Sequence, residues 1–174
     1  LHGAVEGDHE DIANDLLEAG ASAEAKDEHG RTPLHIVVRR GPREIGDPAV
    51  VFTLLAAGAD VSRGSDKLCS RFPLYMTAFS GVVDILRALI EHGNDVNLVQ
   101  TTALHCAALS NDAEAIDFLV EAGATIDARN AVGYTPLRCA GEGKNLETSR
   151  ALLTHGADVN AQAVHNQTEA QYKT

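Results

Sequence analysis

Eight histidines and three cysteines are the residues of this chain with the most chemistry to offer. Imidazoles and thiolates bind zinc, and a thiolate beside an imidazole makes a nucleophile. Their positions argue against both uses. His2, His35 and His105 each follow a leucine, while His92 and His155 each precede a glycine. Side chains that return in register belong to a repeated structural unit, not to one convergent site. The chain has no HExxH, no CxxC and no paired metal-ligand spacing. Cys106 and Cys139 are 33 residues apart in the same register, with Cys69 elsewhere. Stacked helices lie about 10 Å apart, whereas a disulfide needs Cα atoms within about 7 Å. These two are therefore expected to be free, buried thiols that pack as small hydrophobes. His105 precedes Cys106, but adjacent helical side chains diverge, so a Cys/His pair is not expected. The cluster Asp8-His9-Glu10-Asp11 falls at a helix start, where the helix dipole favours acids. No phosphate-cradling loop or nucleophile elbow is found. No catalytic, cofactor-binding or metal-binding residue is assigned, and an enzyme is not expected.

The elements that carry these residues recur. Glycines close leucine-rich, helix-like runs at Gly20, Gly58, Gly93, Gly123 and Gly156. A leucine leads each run: Leu1, Leu34, Leu74, Leu104 and Leu137. Four of the five leucine-to-glycine distances are 19 residues, and the second copy has 24. A glycine after such a run supplies the left-handed backbone that ends a helix. Gly7, Gly41, Gly81 and Gly143 punctuate the middle of the copies, and Asn111 stands there in the fourth. Three residues after each leucine lie Ala4, Val37, Thr77, Ala107 and Ala140, small enough for neighbouring copies to approach closely.

These segments resemble the ankyrin repeat family, with its period of about 33 residues and Thr-Pro-Leu-His start. The matching starts are Thr32-Pro33-Leu34-His35, Phe72-Pro73-Leu74-Tyr75, Thr102-Ala103-Leu104-His105 and Thr135-Pro136-Leu137-Arg138. The matching ends are Gly58-Ala59-Asp60-Val61, Asn94-Asp95-Val96-Asn97 and Gly156-Ala157-Asp158-Val159-Asn160. Threonine caps a helix start, and proline in the first turn forfeits no hydrogen bond. The resemblance implies an all-α repeat solenoid: helix-turn-helix pairs joined by β-hairpin-like loops. It also implies that the histidine after the leucine bonds the backbone and threonine at the repeat start. Asn97 and Asn160 lie in Asp-Val-Asn hairpins, a pattern hydroxylated in animal members of the family, although shaping the turn is the favoured explanation. One domain over 1–174 is expected, with repeats at about 1–31, 32–71, 72–101, 102–134 and 135–167. Residues 168–174 are a degenerate sixth repeat or a tail. Missing an initiating Met, the chain is expected to be part of a longer protein.

Departures from the pattern mark what is particular to this stack. The second copy carries five extra residues within 41–48, where Gly and Pro predict an outward loop. The hairpin after Gly58 is long and that after Gly93 short. Thr148 and Ser149 replace apolar pairs such as Val50-Val51 and Ile85-Leu86, which predicts a polar outer face on the last copy.

The bulk numbers narrow the function. With 25 acidic and 14 basic residues the net charge is −11. Such a chain repels nucleic acid and anionic membrane surfaces. No apolar run reaches the roughly 18 residues of a spanning helix, and no signal-peptide pattern opens the chain. The expected setting is intracellular, cytoplasm or nucleus, as a monomeric domain. Repeats present an extended face to partners, and in the family that face is concave, built from hairpin tips and first helices. Candidate contacts there are Arg31, Arg39, Arg71, Tyr75, Phe79, Leu109, Tyr134 and Arg138, of the types enriched at hot spots. Phe79 and Leu109 hold the same register in consecutive copies. The expected function is non-catalytic protein binding, with autoregulatory docking onto a longer parent chain as the alternative.

Overall fold

The computed structural model describes residues 1–38, 46–62, 73–97 and 102–161. Among the described residues the chain forms ten helices and no strand. They run α1 (His2–Glu6), α2 (Glu10–Glu18), α3 (Pro33–Val37), α4 (Pro48–Ala56) and α5 (Pro73–Ser80). They continue as α6 (Val83–Glu91), α7 (Ala103–Ser110), α8 (Ala113–Glu121), α9 (Pro136–Glu142) and α10 (Leu146–Thr154). Each expected copy thus supplies one pair of helices in contact. None of these helices is long and apolar enough to cross a membrane.

The chain divides into two compact units, Leu1–Val96 and Asn97–Thr174. In the first, α1 packs on α2 and α3, α4 on α2, α3 and α6, and α5 on α6. Its core holds Val5, Leu34, Val50, Leu54, Leu74, Ile85, Leu86 and Leu89, all essentially inaccessible to solvent. In the second, α7 packs on α8 and α9, and α10 on α8 and α9, around Leu104, Ile116, Leu119 and Leu152. Each such leucine or isoleucine contributes about 1.5–3 kcal/mol by burial. The column of small residues three positions after the leading leucine is buried throughout: Ala4, Val37, Thr77, Ala107 and Ala140.

The glycines that close the second helices all take the left-handed conformation, from φ 79° at Gly58 to 93° at Gly93. Between the paired helices the pattern is less uniform. Gly81 and Asn111 are left-handed, at φ 75° and 60°. In the first and fifth copies the left-handed residue is the next one along, Asp8 (φ 54°) and Lys144 (φ 57°). Gly7 and Gly143 instead lie close under side chains. A Cβ on Gly7 would meet the His9 ring at 2.7 Å, and one on Gly143 would meet Asn145 Nδ2 at 2.8 Å.

One expectation changes. Thr148 is fully buried, and its hydroxyl lies 3.2 Å from Ala108 O, so it faces the preceding copy and is no part of an outer face. Only Ser149 is partly exposed, its hydroxyl donating to Asn145 O at 2.7 Å. The outward loop expected within 41–48 falls mainly on residues 41–45, which lie outside the described residues; Gly46 ends it against α3. Gly46 is buried, and its N–H donates to Val37 O at 2.7 Å. Asp8 Oδ1 accepts from Asp47 N at 3.0 Å, which ties this segment to the first copy. The long hairpin at 63–72, the short hairpin's 98–101 and the tail from 162 lie outside the described residues.

Candidate functional site

The hairpin entering α9 is framed by Asn130. Its N–H donates to Tyr134 O at 3.0 Å, and its Oδ1 accepts from Val132 N at 3.1 Å and Tyr134 N at 2.9 Å. Gly133, at φ 80°, closes the turn. Arg129 Nη1 donates to Gly133 O at 3.1 Å. The chain then enters α9 through Thr135, whose Oγ1 accepts from Arg138 N at 3.3 Å. This brings Tyr134 and Arg138 together, with the guanidinium carbon 4.0 Å from the ring centroid. Arg138 Nε also donates to Glu142 Oε1 at 3.3 Å. Val132, at the hairpin tip, is 59% exposed, and Leu109, on the neighbouring α7, is 46% exposed.

His105 binds this hairpin to α7. Its Nδ1 accepts from Thr102 N at 3.2 Å and lies 2.9 Å from Thr102 Oγ1. An acceptor Nδ1 leaves the ring proton on Nε2, which donates to Tyr134 O at 2.8 Å. Burial pushes the His105 pKa below its usual 6.5, against the opposing pull of the Tyr134 and Ala128 carbonyls. His35 makes the same cap with Thr32, and His2 Nε2 lies 3.1 Å from Arg31 O. The histidines that follow leucine are thus structural, as the resemblance implied.

In the first unit the corresponding hairpin is framed by Asp27. Its carboxylate accepts from His29 N at 2.8 Å, Arg31 N at 2.8 Å and Arg31 Nε at 2.6 Å. Partial burial pushes the Asp27 pKa up, but these hydrogen bonds and the Arg31 charge outweigh it and hold it at about 2. Arg31 is therefore committed to its own hairpin. Tyr75 is buried, 4% exposed, inside this unit, so it reaches no surface. Phe79 is half-buried near the end of α5. Arg39 and Arg71 lie outside the described residues. Of the eight residues singled out by sequence, Tyr134 and Arg138 are in direct contact, and Leu109 is exposed in the same unit. Val132 went unnoticed, although it had a signal, an apolar residue at a hairpin tip two positions before Tyr134. Glu142 shares the register of Phe79 and Leu109, five residues after the leading leucine, but was not among the eight.

Neither described thiol is activated. Burial pushes the Cys106 pKa up to about 12, with Cys139 adding to it, and burial likewise raises Cys139. Both thiols are free, Cys139 buried and Cys106 partly so, while Cys69 lies outside the described residues. No cluster of three or more His, Cys, Asp or Glu among the described residues is arranged to hold a metal. Asn97 wedges against the next hairpin, with Nδ2 donating to Gly123 O at 3.0 Å and Oδ1 accepting from Thr125 N at 2.9 Å.

Comparison with known proteins agrees with this architecture. A family described as Ankyrin repeats (3 copies) matches residues 43–130 and 102–163, and one described as Ankyrin repeats (many copies) matches residues 1–55. The chain is 35% identical over 140 residues to neurogenic locus notch homolog protein 1 of Cricetulus griseus, covering 79% of this chain and 5% of that one. It is 35% identical over 163 residues to the B-cell lymphoma 3 protein homolog of Mus musculus, covering 93% and 29%. It is 32% identical over 147 residues to mitochondrial disaggregase of Bos taurus, covering 80% and 20%. The chain therefore spans less than a third of the length of each of these relatives.

Proposed function

The chain belongs to the ankyrin-repeat family, and from that premise we propose that it is a non-catalytic scaffold binding another protein through its hairpins and first helices. Ankyrin repeats mediate protein–protein interaction. The observation that carries the choice of face is the Tyr134–Arg138 stack, in a unit that also exposes Val132 at the same hairpin's tip and Leu109 on α7. Aromatic, arginine and exposed aliphatic residues are the types enriched at binding hot spots. The second helices of the same unit instead expose Glu114, Asp117, Glu121 and Glu147, the surface of a solubilising face. In the first unit, Phe79 is the corresponding contact. We take the setting to be intracellular, with which the free thiols of Cys106 and Cys139 are consistent.

Site-specific photo-crosslinking tests this. A crosslinker at Leu109 or Val132 is expected to capture protein partners from native extract, and one at Glu114 or Asp117 to capture few. Equal capture from the second-helix positions would sink the assignment of the face.

A further inference from the structure

We propose that the Tyr134–Arg138 stack is a receptor for a carboxylate on an acidic segment of the partner. This rests on the protein-binding function above and names the partner's chemistry. Arg138 holds the position that His35 and His105 occupy in other copies. Those imidazoles are buried and bond inward to Thr32 and Thr102. Arg138 lies outside, with its side chain 42% exposed. Its guanidinium rests on the Tyr134 ring at 4.0 Å and gives Nε to Glu142 at 3.3 Å. Its two terminal nitrogens have no acceptor among the described residues.

A guanidinium fixed in plane by an aromatic ring keeps its fork oriented towards solvent. That fork matches a carboxylate bidentately, and little rotamer freedom remains to be lost on binding. The net charge of −11, with exposed acids on α8 at Glu114, Asp117 and Glu121, opposes an acidic segment elsewhere on the chain. The attraction is local, at Arg138, and α7, which packs on α9, adds no Asp or Glu against it. The same unit exposes the aliphatic Val132, four residues before Pro136 opens α9, and Leu109 on α7, so the fitting ligand pairs Asp or Glu with an apolar residue. Glu142 competes for the same guanidinium.

A random-peptide display library selected on the whole chain tests the proposal. Enriched peptides are expected to carry Asp or Glu beside an aliphatic residue. Their affinity should fall about tenfold or more with Arg138→Gln, as expected for loss of a charge-assisted pair. Arg138→Lys should recover only part, because it keeps the charge and loses the planar fork. Glu142→Gln should tighten binding, an effect that a merely structural role for Arg138 does not produce. Peptides that lose affinity with Val132→Ser or Leu109→Ala, yet lack acids and ignore Arg138→Gln, would overturn the carboxylate receptor and leave the binding face standing. If no enriched peptide responds to any of these variants, both fall.

Discussion

The hairpins that lead into α3 and α9 are built to one plan with different charges. Asp27 and Asn130 stand at the same place in each, and each side-chain oxygen takes two backbone N–H groups across the turn. Gly30 and Gly133 close both turns in the left-handed conformation. In the first hairpin the frame is a carboxylate, and Arg31 folds back to neutralise it at 2.6 Å. In the second the frame is a neutral amide, which forms no ion pair, and Arg129 bonds the Gly133 carbonyl instead. Tyr134 fills the place of Arg31, and the nearby cation is Arg138, stacked outside. Changing one carboxylate to an amide thus separates a self-satisfied hairpin from one with a charge to offer.

The largest effect should come from the leucines that follow these hairpins. Leu34 is fully buried, whereas Leu137 is only partly so. Leu34→Ala should cost about 2–5 kcal/mol, and Leu137→Ala distinctly less. Urea unfolding midpoints measure both, and equal losses would show that the two hairpins seat their helices alike.

Next come the residues one position on. His105→Ala leaves buried Thr102 N–H and Tyr134 C=O groups without their partner and should cost about 1–3 kcal/mol. Arg138→Ala removes an exposed pair and should change stability by less than about 1 kcal/mol. Calorimetric melting of the two variants separates a fastener from a presented charge.

Acid should divide the hairpins. The Asp27 carboxyl titrates near 3.8 when unfolded and at about 2 when folded. Its stabilisation is therefore present above the unfolded value and is lost as pH falls from 3.8 towards 2. Asp27→Asn, which copies Asn130, should flatten that part of the stability–pH curve, and Asn130→Asp should add a similar acid-sensitive part. His105 acts in a higher window. Its folded pKa lies below 6.5, so the neutral ring's contribution is complete above 6.5 and declines as pH falls below it. His105→Gln should remove that decline.

The smallest effect is expected from Arg150, paired with Glu147 at 3.3 Å with both side chains more than half exposed. Arg150→Ala should shift stability by no more than about 0.5 kcal/mol.

Much of this was legible in the sequence because repeats report themselves. The leading leucines, closing glycines and Thr-x-x-His starts each recur, so register alone identified five helix pairs, their caps and the structural role of the histidines. A single residue facing two ways has no such redundancy. Thr148 reads as polar and therefore outward, yet it is buried because Ala108 O stands within reach of its hydroxyl. Tyr75 reads as a surface aromatic because it replaces a histidine, but that position is internal in α3 and α7 as well.

Sequence by itself thus determined the repeat, the fold class and the family, since these follow from periodic apolar spacing and backbone-specific residues. Tertiary structure alone decided which charges are spent. Arg31 and Arg138 look equivalent as basic residues near a repeat start. Only the geometry shows one locked to Asp27 and the other resting on Tyr134, because pairing depends on distances across a turn and on what already occupies each acceptor.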